Sequence, residues 1–409
     1  MNALTIVTEF IGVSLAAQYL GMPPLLGVIG AALLVMIGAA SGSFRVFERF
    51  AIVLCIGSLL VIPVFVMVHP PTLQMLHDTI VPGFPKGAQL STVLLLIIGI
   101  VGTTVAPWQL FFQQSYVIDK RITPSFMNYA RWDLAVGVVI VIAGGLALMA
   151  FAAATFAGRS EFGAFSDAGA VAADLQKYVG RSAGVCFAIA LIDASIIGAA
   201  AISLATAYAV GDVFSLRHSL HRRVTDAPAF YAIYLGLIVV AAVLVTLPGV
   251  PLGLLTNAVQ TLAGVLLPSA TVFLLLLCND RAVLGPWTNT ARVNFFTGVV
   301  IAVMIMLSVI LTAAVLFPDI TEKTILTILG VGTCAAAGVG LWMVLARPEG
   351  AGPVRPRNRS RWHMPPLATL PPGKLTALSR FWLGSLRAYL VVAVGLVIVR
   401  VTQIALHGR

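Results

Sequence analysis

Charge is what this sequence has least of. Only 10% of its 409 residues are Asp, Glu, Lys or Arg, where a soluble domain carries about 25%. That shortfall excludes a soluble core of any size, and mean hydropathy is correspondingly high at +1.01. Cysteine is scarce as well. Cys55, Cys186, Cys278 and Cys334 are isolated within apolar segments, so no CxxC pair or His/Cys cluster supports a disulfide frame, structural zinc or an iron–sulfur centre. All six histidines (His69, His77, His218, His221, His363 and His407) fall outside the apolar runs, which leaves no imidazole inside them for a soft metal or a proton relay. The opening MNALTIVTEFIGVSLAAQYL lacks the basic stretch of a secretory signal and runs on into further apolar segments. No Ser/His dyad, aspartate pair or HExxH site is present for a hydrolase.

What is there instead is a succession of long charge-free runs, at 51–68, 90–118, 134–158, 229–279 and 293–318. One crossing of a bilayer takes about 20 apolar residues. The chain is expected to be an all-α polytopic membrane protein, because continuous runs of this length do not fit the short alternating strands of a barrel. Eleven spans are predicted, at about 3–20, 23–40, 46–68, 90–117, 132–157, 183–213, 228–247, 252–278, 293–317, 324–346 and 380–405. Connections after the even-numbered spans hold seventeen Lys and Arg residues, from Arg45 to Arg380, whereas those after the odd-numbered spans hold five: Lys86, Arg159, Lys177, Arg181 and Lys323. This alternation is the positive-inside signature and places the start of the first span on the cytoplasmic side. The net charge of +10 therefore marks topology, not a nucleic-acid partner. A membrane core at 1–346, a basic Pro-rich cytoplasmic linker at 347–375 and a last helical segment at 376–409 are expected.

The segment VGTTVAPWQLFFQQSYVIDK, 101–120, carries the most chemistry. A single helix over 90–118 would be about 43 Å long at 1.5 Å per residue, against a hydrocarbon core of about 30 Å. Pro107 supplies a break, since it lacks an amide proton and clashes with the carbonyl of Thr103. Backbone carbonyls freed at membrane depth survive only when buried in protein or lining a wet cavity, and broken helices in transporters bind ions through them. Gln109 and Gln113 would share a face just beyond the break, with Gln114 beside them. The same residues also suit a plain proline kink whose glutamines bond neighbouring helices. Glu9 and Asp193 are the carboxylates deepest inside predicted spans, and intramembrane acids are functional candidates; Asp193 fits a helix–helix hydrogen bond equally well. Asn257 and Gln260 precede Pro268 in LTNAVQTLAGVLLPSA.

Taken together, GTTVAPWQLFFQ, TEFIG at 8–12, RVFERF at 45–50 and VQTLAGVLLPSA at 259–270 resemble, in order and spacing, the sixth, third, fifth and tenth helices of NRAMP-type metal transporters. The resemblance implies a LeuT-like inverted-repeat helical bundle that holds a divalent cation between two broken helices. Carried over by position, the Thr103 carbonyl, Ala106, Gln109 and Gln260 face the metal, while Glu9 matches an acid used for proton movement. No resident cofactor is implied, only a transported cation, a lipid surround and a bacterial-type inner membrane.

The departures from the family pattern are informative. The family's methionine is Ala106 here, its motif histidine is Trp108, a later histidine is Gln113, and an acid three residues before Glu9 is Ile6. Thioethers favour soft metals and oxygen sites favour hard ones, so these changes resemble the NRAMP-related magnesium transporters and imply Mg2+ or Mn2+ movement without proton coupling. The chain starts at what would be the family's third helix. The resemblance thus implies an incomplete first repeat, two helices encoded upstream, and no transport by this chain alone. Another LeuT-like permease, for amino acids, and a non-transporting membrane scaffold remain the alternatives; oligomeric state is left open.

Overall fold

A computed structural model describes residues 1–81, 83, 104–160, 167–247, 252–316 and 321–345, together with isolated positions between 93 and 100 and between 362 and 395. The expected linker at 347–375 and last span at 380–405 lie almost wholly outside the described residues. Among the described residues every regular element is helical.

The chain divides into two compact units, Met1–Gly83 with Trp108–Val259, and Phe84–Pro107 with Gln260–Arg409. The first begins with α1 (Asn2–Tyr19) and α2 (Pro24–Ala40), separated by a tight turn. Gly21 supplies its left-handed residue, φ 79°, and Pro24 opens α2 at a position where its missing amide costs nothing. The span expected over 46–68 is not one continuous helix. It is α3 (Phe44–Gly57), a 3-10 turn at Ser58–Leu60, and α4 (Val61–Val68). Pro63 explains the change, because it cannot bond the carbonyl of Leu59 and crowds it.

Next come the short helix α5 (Thr72–Ile80), then α6 (Pro107–Asp119), α7 (Met127–Phe156), α8 (Ala168–Tyr178), α9 (Arg181–Val213) and α10 (Pro228–Thr246). The Asp167 carboxylate caps α8 by accepting from the Ala170 amide at 2.9 Å. Neither α5 nor α8 was expected, since both lie outside the long apolar runs. α11 (Leu252–Cys278) runs from the first unit into the second, which continues with the four-residue α12 (Arg281–Leu284), then α13 (Ala291–Leu316) and α14 (Glu322–Leu345). Here Gly285, at φ 51°, lies so close to the Trp362 ring that a Cβ would sit 2.3 Å from it.

α9 organises the first unit. At 33 residues it is about 50 Å long, and its buried residues are mostly small: Ala183, Gly184, Ala188, Ser195, Ala199, Ala200, Ser203 and Ala207. Small residues let helix backbones approach closely where lipid supplies no hydrophobic drive. α1 lies antiparallel along it: Asn2 Nδ2 donates to Thr206 Oγ1 at 2.9 Å, Gly198 faces Glu9, Gly12 faces Ser195, and Gly184 faces Tyr19. The buried core of this unit is built from α1, α2, α3, α9 and α10, with Phe10, Tyr208, Phe230, Tyr231 and Tyr234 among its largest side chains. Tyr234 satisfies its hydroxyl on the Val35 carbonyl at 3.0 Å. Outside this core the helices expose apolar residues, as along Val138–Ile142 of α7, the surface a bilayer would cover. By length and composition five described helical segments can each cross a membrane: 44–68, 124–156, 181–213, 228–246 and 291–310.

Candidate functional site

The interruption predicted at Pro107 is present. Thr104 is the last helical residue before it, Val105 forms a bend, Ala106 has no regular conformation, and α6 begins at Pro107. The Thr104 hydroxyl donates to the Ile100 carbonyl at 2.6 Å, which ties the turn ahead of the break. Ala106 and Pro107 are both buried. Thr103 lies outside the described residues.

Beyond the break α6 has two faces. Trp108, Phe112 and Tyr116 recur every four residues and pack against the core of the first unit. Their ring centroids are 6.1 Å apart for Trp108–Phe112 and 5.0 Å for Phe112–Tyr116. Gln109 and Gln113 follow one residue later, about 100° round a 3.6-residue helix, and both are exposed. The aromatic ladder thus fixes the rotation of α6 and turns two amides away from the core. Trp108 belongs to that ladder and has no part in the polar face. Gln260 is half-buried in α11, and the Asn257 side chain falls outside the described residues. Gln109 and Gln113 belong to the first compact unit, Ala106 and Gln260 to the second.

The two intramembrane acids occupy separate positions along α9, one packed against it and one carried by it. Glu9, on α1, rests its carboxyl where Gly198 has no side chain; a Cβ there would lie 2.5 Å from Glu9 Cδ. Asp193 faces the other way, toward the α3–α4 break. Its Oδ2 accepts from Ser58 Oγ at 2.9 Å, and its Oδ1 would be 2.3 Å from a Cβ on Gly57. Among the described residues no three His, Cys, Asp or Glu side chains gather into a metal-holding group.

One polar cluster went unforeseen. The Asp119 carboxylate, at the end of α6, accepts from Tyr208 Oη, from Ser219 Oγ at 2.5 Å and from the Leu220 amide at 2.9 Å. Beside it Lys120 pairs with Glu48 at 2.8 Å. Only Lys and Arg carry the topology signal in the sequence, and Asp119 becomes legible once the 214–227 connection folds back on it.

Apolar helices long enough to cross a membrane, one of them interrupted with amides just past the break, define the class, a polytopic helical membrane protein. The family model described as natural resistance-associated macrophage protein-like, Nramp, matches residues 1–314. The chain belongs to the Nramp family. Among curated relatives, the divalent metal cation transporter MntH of Aeromonas hydrophila is 27% identical over 264 residues, 62% of this chain and 58% of its own length. The MntH protein of Chromohalobacter salexigens is 27% identical over 320 residues, covering 75% of this chain and 70% of that one. This chain therefore spans little more than half of the first relative. Among solved structures, the Eremococcus coleocola manganese transporter, crystallised with an aromatic bis-isothiourea substituted compound, aligns over 84% of this chain and 77% of its own with a TM-score of 0.56 and 19% identity. That likeness establishes the fold, an all-α LeuT-like inverted-repeat bundle.

Proposed function

We propose that this protein moves divalent metal cations across a bacterial inner membrane by alternating access, with Mg2+ or Mn2+ preferred over softer metals. The observation that carries this is the broken span: a helix that stops at Val105–Ala106 and resumes at Pro107, with Gln109 and Gln113 on one exposed face. Carriers commonly bind ions through the backbone at such a break, and the relatives named above are called divalent metal cation transporters.

The hard-ion preference rests on what surrounds the break. The metal-facing set is assigned by the family resemblance alone: the carbonyl of Thr103, the position of Ala106, and the amides of Gln109 and Gln260, with Gln113 and Asn257 among the pathway candidates. Ala106 offers no sulfur where the family pattern has a thioether, and amide and carbonyl oxygens suit hard cations. Mg2+ also keeps several of its waters, so a site with few charged ligands is chemically adequate for it. Ile6, on the same face as Glu9's turn, replaces the second acid of proton-coupled members, which supports movement without proton coupling.

The test is flux into liposomes containing the purified full-length protein. Uptake of Mg2+ or Mn2+ that exceeds Cd2+ and Fe2+ uptake, and that drops at least tenfold in both Gln109→Ala and Gln260→Ala, is expected. Movement of Fe2+ or Cd2+ without Mg2+ or Mn2+ would overturn the preference; unchanged flux in both variants would overturn the site.

A further inference from the structure

We propose that Asp119 is the bolt of a latch that holds the cytoplasmic end of α6 shut against α9 and the 214–227 connection. The inference rests on the transport reading above and adds to it a conformational control that the metal-facing residues do not provide.

Three donors from two parts of the first unit converge on this one carboxylate. Tyr208 reaches it from α9, and Ser219 and the Leu220 amide reach it from the connection. His221 Nε2 lies 3.0 Å from the Asp119 carbonyl oxygen as well, and its ring stacks on Phe44 at 5.3 Å. One turn earlier Ser115 Oγ donates to Asp212 Oδ2 at 3.4 Å. Asp212 Oδ1 in turn meets His218 Nε2 at 3.0 Å. All of these residues lie on the side that the Lys and Arg distribution makes cytoplasmic.

Two features distinguish this from ordinary helix packing. The ties gather at the tip of the half-helix that starts at the break, so they restrain the element that carries Gln109 and Gln113. The chain also leaves the cluster through left-handed non-glycine residues, Arg121 at φ 58° and Ser215 at φ 54°. Such conformations are sparsely populated and persist where surrounding contacts over-determine them. Release of an ion from the break to the cytoplasm requires the end of α6 to part from these partners, because alternating access moves one group of helices against another around a central site. In this structure the contacts to the Asp119 carboxylate are all made.

Spin-label distances test this without needing flux. The full-length protein, cleared of native cysteines including Cys55, Cys186, Cys278 and Cys334, carries Ile118→Cys and Val224→Cys, positions that are 67% and 40% exposed. A second pair, Ile37→Cys and Val240→Cys, reports on α2 and α10 away from the latch. In lipid nanodiscs, Asp119→Ala is expected to raise the ratio of long to short distances in the first pair by about tenfold, equivalent to ~1.4 kcal/mol, and to leave the second pair unchanged. Tyr208→Phe with Ser219→Ala removes two donors and keeps the carboxylate; it should move the ratio the same way by a smaller factor, and it decides the matter if Asp119→Ala does not fold. An unchanged first pair, or equal broadening of both pairs, overturns the latch. A shifted first pair in a protein that moves no metal keeps the latch and removes the transport reading, whereas metal flux with an unshifted first pair does the reverse.

Discussion

Gly57→Ala is the substitution for which the structure gives the sharpest expectation. Gly57 has ordinary helical angles, φ −58° and ψ −38°, so its backbone accepts alanine, and helix propensity alone would favour the change by about 0.5–1 kcal/mol. The new Cβ would, however, lie 2.3 Å from Asp193 Oδ1 and 2.7 Å from its Cγ, about 1 Å inside ordinary contact. The carboxyl must swing away and give up the Ser58 hydroxyl it holds at 2.9 Å, at a cost of about 1–2 kcal/mol. The net expectation is a destabilisation of about 0.75 kcal/mol, the midpoint of a range of about 0–1.5 kcal/mol. In an Asp193→Ala background the obstacle is gone. Ser58 Oγ retains the Leu54 carbonyl at 3.4 Å as an acceptor, and alanine at 57 should then be neutral or stabilising. The assay is a double-mutant cycle on the melting temperature of the four purified proteins in one detergent. Gly57→Ala should lower it in the parent and hold or raise it beside Asp193→Ala. The same sign and size of change in both backgrounds would refute the claim that the carboxyl occupies the space glycine leaves.

Two further outcomes are expected. Ala106→Met restores a thioether at the break and should raise the ratio of Cd2+ to Mn2+ uptake in liposomes by about tenfold; an unaltered ratio removes residue 106 from the metal-facing set. Gly198→Ala puts a Cβ 2.5 Å from Glu9 Cδ and should sharply reduce the yield of monodisperse protein, with Glu9→Ala restoring it; equal yields in both backgrounds would mean that Glu9 does not rest on α9.

Much of the fold was legible because lipid imposes long uninterrupted apolar runs. The spans expected at 228–247 and 252–278 are the helices Pro228–Thr246 and Leu252–Cys278. The break at Pro107 was legible for a local reason, since proline's missing amide acts wherever it falls in a helix. Pro63 carries the same signal, yet the run from 51 to 68 is so uniformly apolar that its 3-10 turn went unnoticed. α5 and α8 escaped because they are short and lie outside the apolar runs. The approach of Gly57 to Asp193 and of Gly198 to Glu9 was illegible in principle. Each pairs residues more than a hundred positions apart, and nothing local to a glycine says what will occupy the space it leaves.

Those glycine contacts also bear on where ion chemistry can reside. Glu9 and Asp193 are the acids a search for a metal cage would select, but α9 holds them apart: one against Gly198 toward α1, the other against Gly57 and Ser58 toward α3. Their carboxyl groups are set into helix-packing seams, which small residues make narrow, and among the described residues neither acid joins a metal-holding group. Charged ligands are thus absent from the described part of the break, and the groups on offer at α6 are the amides of Gln109 and Gln113. The site proposed above would accordingly select by oxygen number and geometry instead of by charge or sulfur, as oxygen ligands favour hard metals. The hard-cation preference proposed above agrees with this arrangement, in which close helix packing sequesters the two acids.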